Sequence, residues 1–198
     1  MRRSYWVYRA SEILVNLGFK TFYNIHQEGE IPSGPCIVLP KHQRKLDILL
    51  EGHVIYRATG KQPSFIMKGF PFPLNHFLQL YGGILVARPK DLRKGKITKD
   101  EAKDVNGKAA SQTIELLRQG QVVVAHPEGT RTEGRIGPIK MALLERIVHA
   151  ETGAPFVLMG IEYDGRNITV RTGDPFYTTD AKALEDHIRR ELPRLSGL

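Results

Sequence analysis

The sequence predicts one α/β domain: a mixed, mostly parallel central sheet flanked by helices, with an amphipathic helix at its N-terminal end. Three observations carry this reading. Short apolar runs recur along the chain, and segments of helical period separate most of them, as expected of a sheet with helices on its faces. The last two runs flank Asp164-Gly165, a hairpin-type turn, so the sheet is mixed rather than wholly parallel. A chain of 198 residues, 41% hydrophobic and 25% charged, suits one folded core and is too short for two ordinary domains. No linker, internal repeat or low-complexity segment divides residues 1–198.

The elements follow in order. Within residues 1–25, Trp6, Ala10, Ile13, Leu14 and Leu17 share one face at helical spacing, and Arg2, Arg9, Glu12, Asn16 and Lys20 share the other. Two readings stand. The helix packs on its own domain, or it lies on a membrane surface with Tyr5, Trp6 and Tyr8 at headgroup level. The turn Ile31-Pro32-Ser33-Gly34-Pro35 precedes a buried strand at residues 36–39. A helical pattern starts at Asp47, a cap or first-turn residue. Residues 64–67, 84–87, 122–125 and 155–161 read as further strands, and 168–171 as the hairpin partner of the last. Helical patterns cover 71–80, 109–117, 141–149 and 179–190. The charged stretch 89–108 reads as a loop or an exposed helix start.

Lys and Arg number 29 against 21 Asp and Glu, a net charge of +8. That excess calls for an anionic partner: nucleic acid, an anionic membrane surface or a phosphorylated substrate. Aromatic and basic residues do not interleave and no nucleic-acid-binding motif occurs, so no nucleic-acid partner is expected. No apolar run approaches the roughly 18 residues of a bilayer span. The single cysteine, Cys36, excludes an intrachain disulfide and any Cys-rich metal site. It reads as a small core residue, and no metal is expected.

Two constellations each follow a strand. In Lys41-His42-Gln43-Arg44-Lys45-Leu46-Asp47, a histidine ends a strand and an aspartate opens the next helix. A tight connection turns the carboxylate back to the imidazole, fixes its tautomer, and frees the other ring nitrogen to accept a proton. Taken alone, the spacing is weak evidence, and it fits a capping Asp beside an unrelated surface His. The second constellation is His126-Pro127-Glu128-Gly129-Thr130-Arg131-Thr132-Glu133-Gly134-Arg135. Its glycines, Thr hydroxyls and Arg forks suit a phosphate, although the Gly-Lys-Ser/Thr of a P-loop is missing. Taken alone, this is equally a solvated loop.

Together, His-x4-Asp followed about eighty residues later by Pro-Glu-Gly-Thr-Arg resembles the glycerolipid acyltransferase family, the lysophosphatidate acyltransferases in particular. Gly83-Ile84-Leu85-Val86-Ala87-Arg88 resembles that family's Gly-x4-Arg block, and Pro138-Ile139-Lys140 its Pro-Phe-Lys. The blocks stand in family order within residues 36–161. Two features depart from the pattern. Arg44 and Lys45 stand where a small and then an aromatic residue are usual, and His126 stands where the family has an apolar or aromatic one.

The resemblance implies transfer of an acyl group from acyl-coenzyme A or acyl carrier protein to the hydroxyl of a lysophospholipid such as lysophosphatidic acid, without a cofactor. His42 would be the general base and Asp47 its orienting partner. Arg88 and Arg131, with Gly129 and Thr130, would hold the acceptor phosphate, and Arg44 would add affinity for an anion. Glu128 would brace the site by pairing with one of these arginines. The hydroxyl attacks the thioester directly, so Cys36 is not needed as a nucleophile. His126 would be a partly buried polar neighbour or a further phosphate contact. The resemblance also implies a cytoplasmic enzyme, peripheral on the inner face of the cell membrane, with little N-terminal sequence to anchor it. The alternatives are the same chemistry on glycerol 3-phosphate, an aminolipid or a glycolipid, and a non-catalytic lipid-binding module.

Overall fold

Two parallel strands rich in Val and Ile sit at the centre of the molecule, and everything else is arranged to cover them. In a computed structural model, which describes residues 5–69 and 74–198, the order is α1 (Tyr5–Phe22), β1 (Asn24–Glu28), β2 (Cys36–Pro40), α2 (Asp47–Thr59), β3 (Ser64–Lys68), α3 (Leu74–Leu80), β4 (Gly83–Val86), α4 (Pro89–Arg93), α5 (Lys99–Arg118), β5 (Val122–Val124), α6 (Met141–Val148), β6 (Phe156–Asp164), β7 (Asn167–Thr172) and α7 (Ala181–Leu195). Arg2, Arg3 and the first residues of the helix predicted from residue 71 lie outside the described residues.

The strands form one sheet in the order β1-β7-β6-β2-β5-β3-β4. Strands β6, β2, β5, β3 and β4 run parallel, β7 is antiparallel to β6, and β1 runs parallel to β7. The mixed, mostly parallel sheet is therefore as predicted, and Gly165, with φ +57°, makes the β6–β7 turn. On β2, Ile37 and Leu39 point into one apolar cluster, which includes residues of α5, α6 and α7. Cys36 and Val38 point into the other, with Leu50, Val54 and Ile55 of α2 and Phe19 of α1. Burial on both faces explains why β2 and β5 read as continuous apolar runs rather than as alternating ones. Gly160 on β6 lets the end of α7 lie directly on the sheet: a Cβ there would fall 2.1 Å from the carbonyl oxygen of Leu195.

Two elements differ from the sequence reading, and a third decides between its alternatives. Strand β1 has no counterpart in it, because four of its five residues are exposed and no burial pattern marks the strand. Of the two readings of residues 89–108, the exposed helix start holds for α5, which begins at Lys99 behind a reciprocal capping box between Thr98 and Glu101. Helix α7 continues past Arg190 to Leu195, with Pro193 inside it.

The N-terminal helix packs on its own domain, but not through its apolar stripe. Tyr8 and Phe19 face inward. The Tyr8 hydroxyl donates to the Gly52 carbonyl at 3.1 Å, and Glu12 pairs with Nδ1 of His53 at 2.7 Å, so α1 is stitched to α2. Tyr8 therefore does not belong with headgroup-level residues, and the Tyr5 side chain lies outside the described ones. The stripe points away: Trp6 is 79% exposed, Leu14 70%, Leu17 63% and Ile13 58%. Among the described residues, no helix is long and apolar enough to cross a membrane.

Candidate active site

The order β6-β2-β5-β3 contains a topological switch. The chain leaves β2 through α2 to reach β3 on one side, and leaves β5 through α6 to reach β6 on the other. Helices α2 and α6 lie against opposite faces. The crevice outside the carboxyl ends of β2 and β5 is where such a sheet binds ligands. His42 lies two residues beyond β2 and His126 two residues beyond β5.

Asp47 is the first residue of α2, and its carboxylate turns back over the loop. Oδ2 lies 3.0 Å from His42 Nδ1 and accepts the backbone N–H groups of Gln43 at 2.6 Å and Arg44 at 2.7 Å. Oδ1 accepts the hydroxyl of Tyr163, which reaches over from β6. Burial alone would raise the Asp47 pKa. The hydrogen bonds from His42, Tyr163, Arg44 and Gln43 outweigh it and hold the carboxyl below the ordinary carboxylate range. The same contact, with burial as the larger cause, pushes the Tyr163 hydroxyl well above the usual phenol range. A carboxylate only accepts, so His42 carries its proton on Nδ1, and Nε2 is left with a lone pair.

A second histidine–carboxylate pair stands beside the first. His126 Nε2 lies 3.0 Å from both oxygens of Glu51, one turn after Asp47 on the same face of α2. The two imidazole rings are 4.3 Å apart, centroid to centroid, and tilted by 35°. Burial disfavours the charged form of His126, but the Glu51 carboxylate beside it outweighs burial and raises its pKa above the ordinary value. His126 is thus a half-buried polar neighbour of His42, and its side chain pairs with Glu51.

The 127–137 loop is fastened from beneath. Lys41, fully buried, places Nζ 2.9 Å from Glu128 Oε2 and 2.8 Å from Thr132 Oγ1, and donates to the Thr132 carbonyl as well. Glu128 also accepts from the Thr132 hydroxyl and the Gly137 N–H. Thr132 N–H in turn donates to the His42 carbonyl at 3.1 Å. Glu128 therefore pairs with Lys41, not with an arginine. Lys41 directly follows the buried strand β2, which neighbours β5, and so its ammonium reaches the Glu128 carboxylate.

Fastened this way, the loop presents Gly129, Thr130 and Arg131 to solvent. Arg131 lines a cavity of about 530 Å³ together with Arg44, Lys45, Gln43, Tyr23 and Tyr163. Arg44 lies over the Tyr163 ring, 4.1 Å from its centroid, a cation–π contact that orients the guanidinium. The structure thus joins Arg44 and Arg131 at one cavity and adds Lys45; His42, one residue before Gln43, is not itself among the lining residues. Arg88 is not among the cavity's lining residues. It follows β4, the edge strand, and makes two hydrogen bonds to Asp91. Lys41, Glu51, Thr132 and Tyr163 escape the sequence reading. Glu51 has a local signal in its i,i+4 spacing from Asp47, and Thr132 stands four residues from Glu128; Lys41 and Tyr163 meet their partners through sheet pairing.

A histidine–carboxylate pair thus stands at the switch point of an α/β sheet, with the basic residues Arg44 and Lys45 following the histidine. A family model described as Acyltransferase matches residues 23–162, and the chain belongs to that family. Among solved structures, the chain is similar to the crystal structure of the 1-acyl-sn-glycerophosphate (LPA) acyltransferase PlsC from Thermotoga maritima. The TM-score is 0.64 and the identity 18%, over 98% of this chain and 82% of that one. At that identity the likeness is one of fold. A comparison with curated proteins finds no match.

Proposed function

We propose that this acyltransferase moves a fatty acyl group from the thioester of acyl-coenzyme A or acyl carrier protein to the hydroxyl of a lysophospholipid such as lysophosphatidic acid. The observation that carries the reading is the His42 Nδ1–Asp47 Oδ2 pair at 3.0 Å, next to the cavity lined by Arg44, Lys45 and Arg131. Nε2 of His42 takes the proton of the acceptor hydroxyl as its oxygen bonds to the thioester carbonyl carbon. Asp47 stabilises the imidazolium formed. The tetrahedral intermediate then expels the thiolate, which recovers the proton from His42, leaving ester and free thiol. No acyl-enzyme is involved. The three cations hold the acceptor's phosphate and so place its hydroxyl. PlsC, the structural relative from Thermotoga maritima, is itself an acyltransferase of 1-acyl-sn-glycerophosphate, which supports this acceptor class.

The exposed stripe of Trp6, Ile13, Leu14 and Leu17, flanked by Arg9 and Lys20, suits an anionic membrane surface. On this reading the enzyme is peripheral, on the inner face of the cell membrane. The test pairs each donor with lysophosphatidic acid, glycerol 3-phosphate, a lyso-aminolipid and a lyso-glycolipid, and identifies products by mass spectrometry. Phosphatidic acid is the expected main product. Acylation of the neutral glycolipid in preference to every phosphorylated acceptor would refute the role of the cationic cavity.

A further inference from the structure

We infer that His42, Glu51 and His126 form a binding site for a zinc-class divalent transition-metal ion, and that this ion competes with the acyl acceptor for the His42 imidazole. The competition rests on the reading of His42 as the base; the metal site does not. A ring nitrogen of each histidine and an oxygen of Glu51 lie within 4.8 Å of one another. Two imidazoles and one carboxylate are a donor set that zinc accepts, with a fourth position kept for water or another ligand.

The surroundings match that chemistry. Asp47 holds Nδ1 of His42 at 3.0 Å, and a carboxylate in that place fixes the ring and strengthens Nε2 as a metal donor. Glu51 is fully buried, and both its oxygens face His126 Nε2 at 3.0 Å. Lys41, the nearby buried cation, is committed to Glu128 and Thr132. Ligands bound to one tetrahedral ion at about 2.1 Å lie about 3.4 Å apart, so separations within 4.8 Å must close by at most about 1.4 Å, a motion that χ rotations of the two rings supply. The ion takes the place of the proton between His126 Nε2 and Glu51, and that proton leaves to solvent. The three ligands are 42, 51 and 126 in the chain, which is why a reading based on cysteine content and local spacing expects no metal.

With the ion on Nε2, the lone pair that accepts the hydroxyl proton is occupied. Zinc should therefore inhibit acyl transfer, and a chelator should restore it. The test titrates the full-length protein with Zn²⁺ against a chromophoric chelator. One ion per chain at a Kd of about 10 μM or tighter is expected. H126F and E51Q should each weaken binding at least about tenfold, and Asp47→Asn by about 10- to 100-fold through the outer carboxylate alone. X-ray absorption on the zinc-loaded wild type, which needs no variant to fold, should show two imidazoles at about 2.0–2.1 Å. Wild type that retains no zinc, binding unaltered in a folded H126F, or a zinc shell without two imidazoles would each overturn the site. Inhibition should follow the same titration curve as binding. Zinc bound at the site without inhibition would overturn the competition, and with it the assignment of His42 as base, while leaving the site intact.

Discussion

Replacing Lys41 with Met keeps the length of the side chain and removes its charge. Lys41 and Glu128 are 0% and 1% exposed, and their charged atoms are 2.9 Å apart. At that distance and an effective dielectric near 20 the attraction is about 6 kcal/mol, most of it offset by the desolvation of both groups. Removing Lys41 leaves Glu128 buried, with the Thr132 hydroxyl and the Gly137 N–H as its remaining donors among the described residues. Such a loss costs about 3–5 kcal/mol. With 198 residues at about 2.1 cal/mol/K each, the thermal midpoint should fall by about 7–12 °C. The assay is thermal unfolding followed by circular dichroism for K41M, E128Q and the double variant. The double variant carries no orphaned charge, so it should lose at least about 2 kcal/mol less than the two single losses combined. Arg131 sits on the loop this pair fastens, so K41M should also raise KM for a phosphorylated acceptor. Single losses below about 2 °C, with additive behaviour in the double variant, would refute the role of the pair as the loop's fastening.

Four further outcomes follow from other parts of the structure. Tyr163→Phe removes a donor that helps keep Asp47 ionised. The stability Asp47 contributes is present above the ordinary value of 3.8 and lost as pH falls through its lower folded value, so acid unfolding of Y163F should begin at higher pH than in wild type. Cys36 is buried and its thiol is pushed up to about 12 from 9.0, so it should resist a disulfide reagent at pH 8 until the chain unfolds. Between those two values the unfolded thiol ionises while the folded one stays protonated, so stability should fall as pH rises through that window. Gly160→Ala would drive a methyl group into the Leu195 carbonyl, and main chain cannot step aside as a side chain does. Equilibrium urea unfolding should record a loss of at least about 2 kcal/mol.

The parts legible in the sequence are those whose physics is local. The apolar runs of β2, β3, β4, β5 and β6 need only burial on two faces, and Asp164-Gly165 announces the hairpin. His42 and Asp47 are visible because the partners are five residues apart across one tight turn. The Thr98–Glu101 capping box is also local, but the charged stretch around it hides the start of α5. The rest depends on the sheet. Lys41 meets Glu128, and His126 meets Glu51, because β2 and β5 are neighbours. Tyr163 reaches Asp47 because β6 pairs with β2 from the other side. The N-terminal helix illustrates a different failure of periodicity. Its clearest apolar stripe turns outward, while Tyr8 and Phe19, flanked on that face by Glu12 and the half-buried Val15, make the contact with the domain.

The most direct test of the central claim is the initial rate of free-thiol release from the acyl donor in the presence of acceptor, compared between wild type and His42→Gln. The variant keeps the size and hydrogen-bonding capacity of the side chain but cannot take up a proton near neutral pH. If Nε2 of His42 removes the hydroxyl proton, kcat should fall by about 10³-fold or more with KM for both substrates little changed. A folded variant that releases thiol within about tenfold of the wild-type rate would contradict the account, because another group would then be activating the hydroxyl.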